Sequence, residues 1–148
     1  MRALVQRVSN ASVAIGGAVH SSIDQGLLVF LGVANGDDTE DASYLARRCS
    51  QLRIFEDLEG KLNLSLKETG GRVLAVSQFT LCADTTKGNR PSFHDVASQE
   101  TAEALYNQFT ETLRLELGED RVATGVFRAM MQVHLVNNGP VTILLESK

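Results

Sequence analysis

Gly26-Leu27-Leu28-Val29-Phe30-Leu31-Gly32-Val33 is the stretch on which the fold turns. A nearly unbroken apolar run of this length suits a strand covered on both faces. Upstream, Leu4, Gln6 and Val8 alternate with Ala3, Val5 and Arg7, and Ser12-Val13-Ala14-Ile15 leads into Gly16-Gly17. A Gly-Gly pair between two β-prone runs signals a hairpin. Downstream, Asp38 is placed to cap a helix with Asp41 three positions later, and Ala42, Leu45, Ala46, Cys49 and Leu52 follow at helical spacing. Ser98 is placed to cap a second helix with a buried stripe of Ala102, Leu105, Tyr106, Phe109 and Leu113, stopped by Gly118. Between the helices the pattern predicts a hairpin (Arg53 to Phe55, a turn at Glu59-Gly60, then Lys61 to Leu66) and a strand from Arg72 to Phe79. The end supplies three further strands, Val122 to Phe127, Met131 to Val136 and Val141 to Leu145. Many strands with two inserted helices predict one α+β domain, residues 1–148, on a strongly curved, barrel-like sheet.

The bulk composition agrees with that reading and narrows the function. A chain of 148 residues with 43% apolar and 22% charged side chains is ordinary for a globular domain. No apolar run approaches the ~20 residues needed to cross a bilayer, and MRALVQRVSN has neither an apolar h-region nor a small-residue cleavage site. Cys49 and Cys82 lie far apart without CxxC spacing, and Cys49 falls on the apolar face of the first helix. The expectation is a reduced, cytoplasmic chain without membrane contact. The net charge of −4 disfavours a broad basic surface for nucleic acid, since phosphate binding needs clustered Lys and Arg. The local exception is Lys87 and Arg90 in Thr85-Thr86-Lys87-Gly88-Asn89-Arg90-Pro91.

Two segments can carry chemistry. In Ser77-Gln78-Phe79-Thr80-Leu81 the buried run Val73 to Val76 turns abruptly polar. Taken alone, such residues can simply satisfy backbone groups at a strand exit. The long, polar, basic loop that follows, Asp84 to Phe93, favours a binding role instead. The second segment is Asn137-Asn138-Gly139-Pro140-Val141-Thr142. It reads first as a turn between two apolar runs. Yet glycine permits close approach to the backbone, and a Gly-Pro bond is one of the few that can be cis.

Equally informative is what is missing. No Gly-x-Ser-x-Gly elbow, phosphate loop, Gly-x-Gly-x-x-Gly or metal-ligand cluster occurs. No metal or other cofactor is therefore expected. His20, His94 and His134 have no metal spacing, and only His94, in the basic loop, is retained as a candidate base. With no base beside Ser77, Thr80 or Cys82 in the sequence, an activated nucleophile lacks support.

With both segments in view, the chain resembles the D-aminoacyl-tRNA deacylases. Ser77 to Leu81 is similar to the family's first signature, and Asn137 to Thr142 contains its second, the Gly-Pro motif. The similarity extends through Met1 to Ser9, Gly26 to Val33, Leu52 to Ser65 and Lys87 to Phe93. One position departs: before Ala129 the family often carries glycine, whereas this chain has Arg128.

The resemblance implies a homodimer with active sites at the subunit interface, acting on the aminoacyl-adenosine end of tRNA. It implies a cis Gly139–Pro140 bond whose carbonyls, entering from the other subunit, exclude an L side chain but not hydrogen. Ser77, Gln78, Phe79 and Thr80 are then the catalytic set, and Asn138, Gly139, Pro140, Val141, Lys87 and Arg90 the substrate-binding set. The missing base suggests that N–H groups around Gln78, Phe79 and Thr80 stabilise the oxyanion, while the substrate's 2′-hydroxyl helps activate water. Two alternatives stand beside this: an idle nucleic-acid-binding protein of the same fold, and a deacylase removing an L-residue such as alanine. Phe79 and Val141 favour the D-specific branch.

Overall fold

The structure, a computed structural model, describes residues 1–147. Its organising element is β1 (Arg2–Ile15), long enough to serve two partners on one side. The first half of β1 pairs antiparallel with β3 (Gly26–Gly32), and the second half with β2 (Ala18–Ile23). The β1–β2 turn is made by Gly16 and Gly17, both at positive φ (58° and 84°), where glycine carries no steric cost. Along its other side β1 pairs with β8 (Gln132–Glu146).

β3 continues into a parallel series that sequence periodicity did not reveal. It pairs parallel with β6 (Arg72–Ser77), which pairs parallel with β7 (Val122–Thr124). Parallel neighbours need crossovers, and the two helices supply them. α1 (Thr39–Gln51) lies between β3 and β6, and α3 (Gln99–Leu117) between β6 and β7. The Asp38/Asp41 capping box and the Ser98 cap form as expected, with Gly118 closing α3. The sheet then curls until Ser21 Oγ donates to the Thr124 carbonyl 2.8 Å away, so β2 approaches β7 and the barrel nearly closes.

That curl explains the apolar run at Gly26 to Val33. Leu27, Val29 and Leu31 pack with Leu45, Cys49, Phe109 and Leu113 of the helices. Leu28 and Phe30 point instead into a second cluster inside the curl, with Val8, Val13, Leu74 and Val76. A strand with apolar partners on both faces has no reason to alternate. Cys49 is fully buried, and burial pushes its thiol up to about 12, the state of an inert packing group.

Four expectations are corrected. The predicted strand Lys61 to Leu66 is only β5 (Leu62–Leu64), paired with the two-residue β4 (Phe55–Glu56). Ser65 instead caps the short helix α2 (Leu66–Thr69), where Glu68 bonds back to the Ser65 N–H and hydroxyl. Ser-x-x-Glu is a capping box, and its signal outweighs the apolar alternation. β6 stops at Ser77 because Phe79 to Cys82 wind into a 3₁₀ turn. β7 ends at Thr124, short of Phe127. Most consequential, Asn137 to Thr142 does not reverse the chain: the runs on either side of it form the single strand β8, both paired to β1.

Candidate active site

The carboxyl ends of β3 and β6 and the segment after β7 meet the start of α3 around one cavity of about 620 Å³, a size suited to a small ligand. This is the side of a parallel sheet where ligands usually sit. Ser77 lines it from the end of β6, Gln78 and Phe79 from the start of the 3₁₀ turn, Gln99 and Ala102 from α3, and Phe127 to Met131 from the connector into β8. Several bonds hold these walls in place. Tyr106 donates its hydroxyl to the Ala75 carbonyl at 2.9 Å, and the Gly125 N–H reaches the same oxygen at 3.0 Å. Burial raises the Tyr106 phenol to about 12, so it remains a donor.

Within the first signature the groups are unequally available. The Gln78 N–H donates to the Leu31 carbonyl at 2.8 Å, which commits it to the sheet. The N–H groups of Phe79 and Thr80, opening the 3₁₀ turn, have no hydrogen-bond partner among the described residues. The Gln78 side-chain amide donates to Thr80 Oγ1, and no acid or histidine is bonded to that hydroxyl among the described residues. Thr80 itself does not line the cavity. Phe79 is 54% exposed and packs at a tilt of 55° against Phe93, with ring centroids 5.2 Å apart; Phe93 is 43% exposed, so an aromatic pair stands open to solvent.

The basic loop is a closed excursion. Asp84 and Ser92 exchange main-chain hydrogen bonds at 2.8 Å, leaving Lys87 and Arg90 exposed on the loop between them. The Thr86 N–H holds the Asp84 carboxyl below the usual carboxylate range, so a negative charge sits at the loop's base. Lys87, Arg90 and His94 are absent from the cavity lining. Among the described residues no hydrogen bond joins His94 to Thr80, so His94 gains no geometric support as its base.

The second signature is a bulge. Gln6 pairs with Thr142 and Val8 with Asn137, so Asn138 to Val141 loop out of the β1–β8 ladder. Asn137 staples the loop closed: its Oδ1 accepts from the Val141 N–H at 2.8 Å, and its Nδ2 donates to the Val141 carbonyl and Thr142 Oγ1 at 3.1 Å each. The Gly139–Pro140 bond is cis, and Gly139 has φ +154°. A Cβ there would lie 2.6 Å from the Val141 nitrogen. Asn138, Gly139 and Pro140 are all exposed, and none of the bulge residues lines the cavity of its own chain.

Sequence reading missed Arg7. Its side chain is 8% exposed; Nε donates to the Asn138 carbonyl at 2.8 Å and Nη1 to the Ile54 carbonyl at 2.6 Å. One guanidinium thus ties the bulge to the β4 region from the opposite strand. The only available signal was a charged residue in register with Ala3 and Val5, on the inward-facing side of an otherwise apolar alternation.

Fold and cavity together define a small α+β enzyme scaffold with its pocket at the carboxyl ends of parallel strands. Comparison with known proteins identifies which one. Residues 4–146 match the family model described as D-Tyr-tRNA(Tyr) deacylase, and the chain belongs to that family. It is 59% identical to the D-aminoacyl-tRNA deacylase of Anaeromyxobacter dehalogenans, covering 100% of this chain and 98% of that protein. With the D-aminoacyl-tRNA deacylase of Chlorobaculum tepidum it shares 54% identity, covering 99% and 97% of the two chains. Among solved structures, the c-Myc DNA Unwinding Element Binding Protein superposes with a TM-score of 0.96 at 44% identity, covering 100% of this chain and 99% of that one. A probable eukaryotic D-amino acid tRNA deacylase superposes at 0.82 and 18% identity, covering 98% of both chains, which shows the fold alone.

Proposed function

We propose that this chain hydrolyses the ester of D-aminoacyl-tRNA, and of glycine mischarged on tRNA, as a cytoplasmic homodimer. The observation that carries this reading is a mismatch within one chain. Ser77, Gln78 and Phe79 line a largely apolar cavity, while the exposed bulge Asn138 to Val141 contributes nothing to that cavity in its own chain. A second copy supplies one to the other. β8 suits such pairing: among the described residues its outer edge has no strand partner, and Val136 and Leu144 are 52% and 51% exposed on it.

In the dimer the bulge carbonyls stand against the substrate's α-carbon, where hydrogen fits and an L side chain collides. The terminal adenine finds a stacking surface on Phe79 and Phe93. The Phe79 and Thr80 N–H groups receive the charge that develops on the ester carbonyl oxygen as water adds. No step needs a metal; among the described residues no cluster of three His, Cys, Asp or Glu side chains is arranged to hold one. Among the described residues no helix is long and apolar enough to cross a membrane.

The deciding measurement is release of amino acid from matched D- and L-tyrosyl-tRNA, with and without a chelator. Rapid loss of the D form alone, unchanged by chelation, is expected. Activity that vanishes in chelator and returns with zinc would refute the metal-free mechanism. A second reading, an idle nucleic-acid-binding protein, draws on the name of the neighbour at 44% identity. Inert D- and L-tyrosyl-tRNA together with tight DNA binding would favour it.

Lys87 and Arg90 are expected to contact tRNA phosphates outside the cavity. Replacing both by alanine should weaken tRNA binding and reduce the log–log salt slope by about 1.4, given roughly 0.7 per single-strand contact. A double variant with wild-type affinity and slope at two salt concentrations would exclude the loop as a contact.

A further inference from the structure

Arg128 sits in the connector from β7 to β8, on the rim of the cavity. Its φ is +64°, the one non-glycine residue at positive φ among those described. A side chain at such a position crowds its own backbone, so glycine is the residue the geometry favours. A disfavoured conformation held at a pocket is a pointer to function rather than to stability.

Two further observations say what the side chain serves. Arg128 is the single charged residue lining the cavity, whose other walls are apolar or neutral. Its guanidinium is exposed and has no carboxylate partner among the described residues. In a chain of net charge −4, an unpaired cation at the mouth of an apolar pocket creates a local anion site. A guanidinium matches the forked oxygens of a phosphodiester or a carboxylate.

We propose that Arg128 binds an anionic group of the substrate, and so adds an affinity determinant at the cavity rim. The proposal rests on the pocket's holding the aminoacyl end of tRNA. Two groups there have the required chemistry: the phosphodiester beside the terminal adenosine, and the side-chain carboxylate of a D-aspartyl or D-glutamyl substrate.

The test uses the full chain and its Arg128→Gln, Arg128→Lys and Arg128→Gly variants. Each is assayed with D-tyrosyl-tRNA, D-aspartyl-tRNA and D-tyrosyl-adenosine, which lacks the phosphodiester. If the phosphodiester is the ligand, Arg128→Gln raises KM about 10-fold for both tRNAs with kcat within twofold. The salt slope then falls by about 0.7, and D-tyrosyl-adenosine is unaffected. If the carboxylate is the ligand, the KM increase is confined to D-aspartyl-tRNA. In either case Arg128→Lys recovers only part of the affinity, since it keeps the charge and loses the planar fork. Arg128→Gly loses as much as Arg128→Gln although its backbone is relaxed, which separates charge from conformation. KM values within twofold of wild type on all three substrates would overturn the proposal. So would an equal loss on D-tyrosyl-adenosine, which marks a merely structural role. A wild type inert towards every D-aminoacyl-tRNA removes the underlying reading of the pocket and the proposal with it, an outcome distinct from active but unaffected variants.

Discussion

D-tyrosyl-tRNA ending in 2′-deoxyadenosine is expected to be hydrolysed at least about 10²-fold more slowly than the natural substrate, while Thr80→Ala stays within about 10-fold of wild type. Positioned proton transfer is typically worth about 10²–10⁴-fold, and some group must provide it. The protein offers none beside the reacting atoms: Thr80 is hydrogen-bonded by the Gln78 amide, which is no base, and His94 does not line the cavity. The hydroxyl next to the ester is the remaining candidate. Removing the Thr80 side chain leaves its main-chain N–H in place, so the oxyanion donors survive. Single-turnover deacylation with the two tRNAs and the two proteins separates the effects. A trapped Thr80 ester together with normal turnover of the deoxy substrate would sink this account and make Thr80 a nucleophile.

Arg7→Ala is expected to lower the unfolding midpoint by about 10 °C and to reduce deacylation of D-tyrosyl-tRNA more than 10-fold at a temperature where the variant remains folded. Hydrogen bonds from a charged donor are worth about 1.5–3 kcal/mol each. Arg7 makes two, to Ile54 and Asn138 carbonyls, from a largely buried side chain. Losing about 3 kcal/mol or more shifts the midpoint by roughly 2–4 °C per kcal/mol in a domain of this size. The activity loss has a separate cause: without Arg7 the bulge keeps its Asn137 staple but is no longer tied to the strand opposite. A displacement near 1 Å at a positioning element suffices for a large rate loss. Arg7→Lys retains charge but replaces a planar fork with a single point donor, so it should recover little of either effect. A destabilised variant with undiminished activity would show that the bulge needs no anchor.

Much of this molecule was legible in the chain because the relevant physics is local. Asp38 with Asp41, Ser98 and Gly118 delimit two helices through groups only a few residues apart. Gly16-Gly17 defines a hairpin by its own φ preferences, and the unbroken run at Gly26 reports a strand covered twice. The Ser77 to Leu81 and Asn137 to Thr142 motifs are likewise contiguous, so they could be found without a fold. Tertiary structure decided what depends on partners. Two apolar runs around Asn137 to Thr142 look the same whether the chain reverses or continues; only the length of β1, with room to pair both, makes them one strand with a bulge. The parallel order of β3, β6 and β7 brings Ser77, Phe79 and Arg128 around one cavity, and no spacing along the chain encodes that meeting. Arg7 and Asn138 lie 131 positions apart, and their bond exists because strand register places them opposite one another. Propensity acts over a few residues, whereas register and pairing are chosen by which faces can be buried together. The elements could therefore be read from the sequence, and the site only from their assembly.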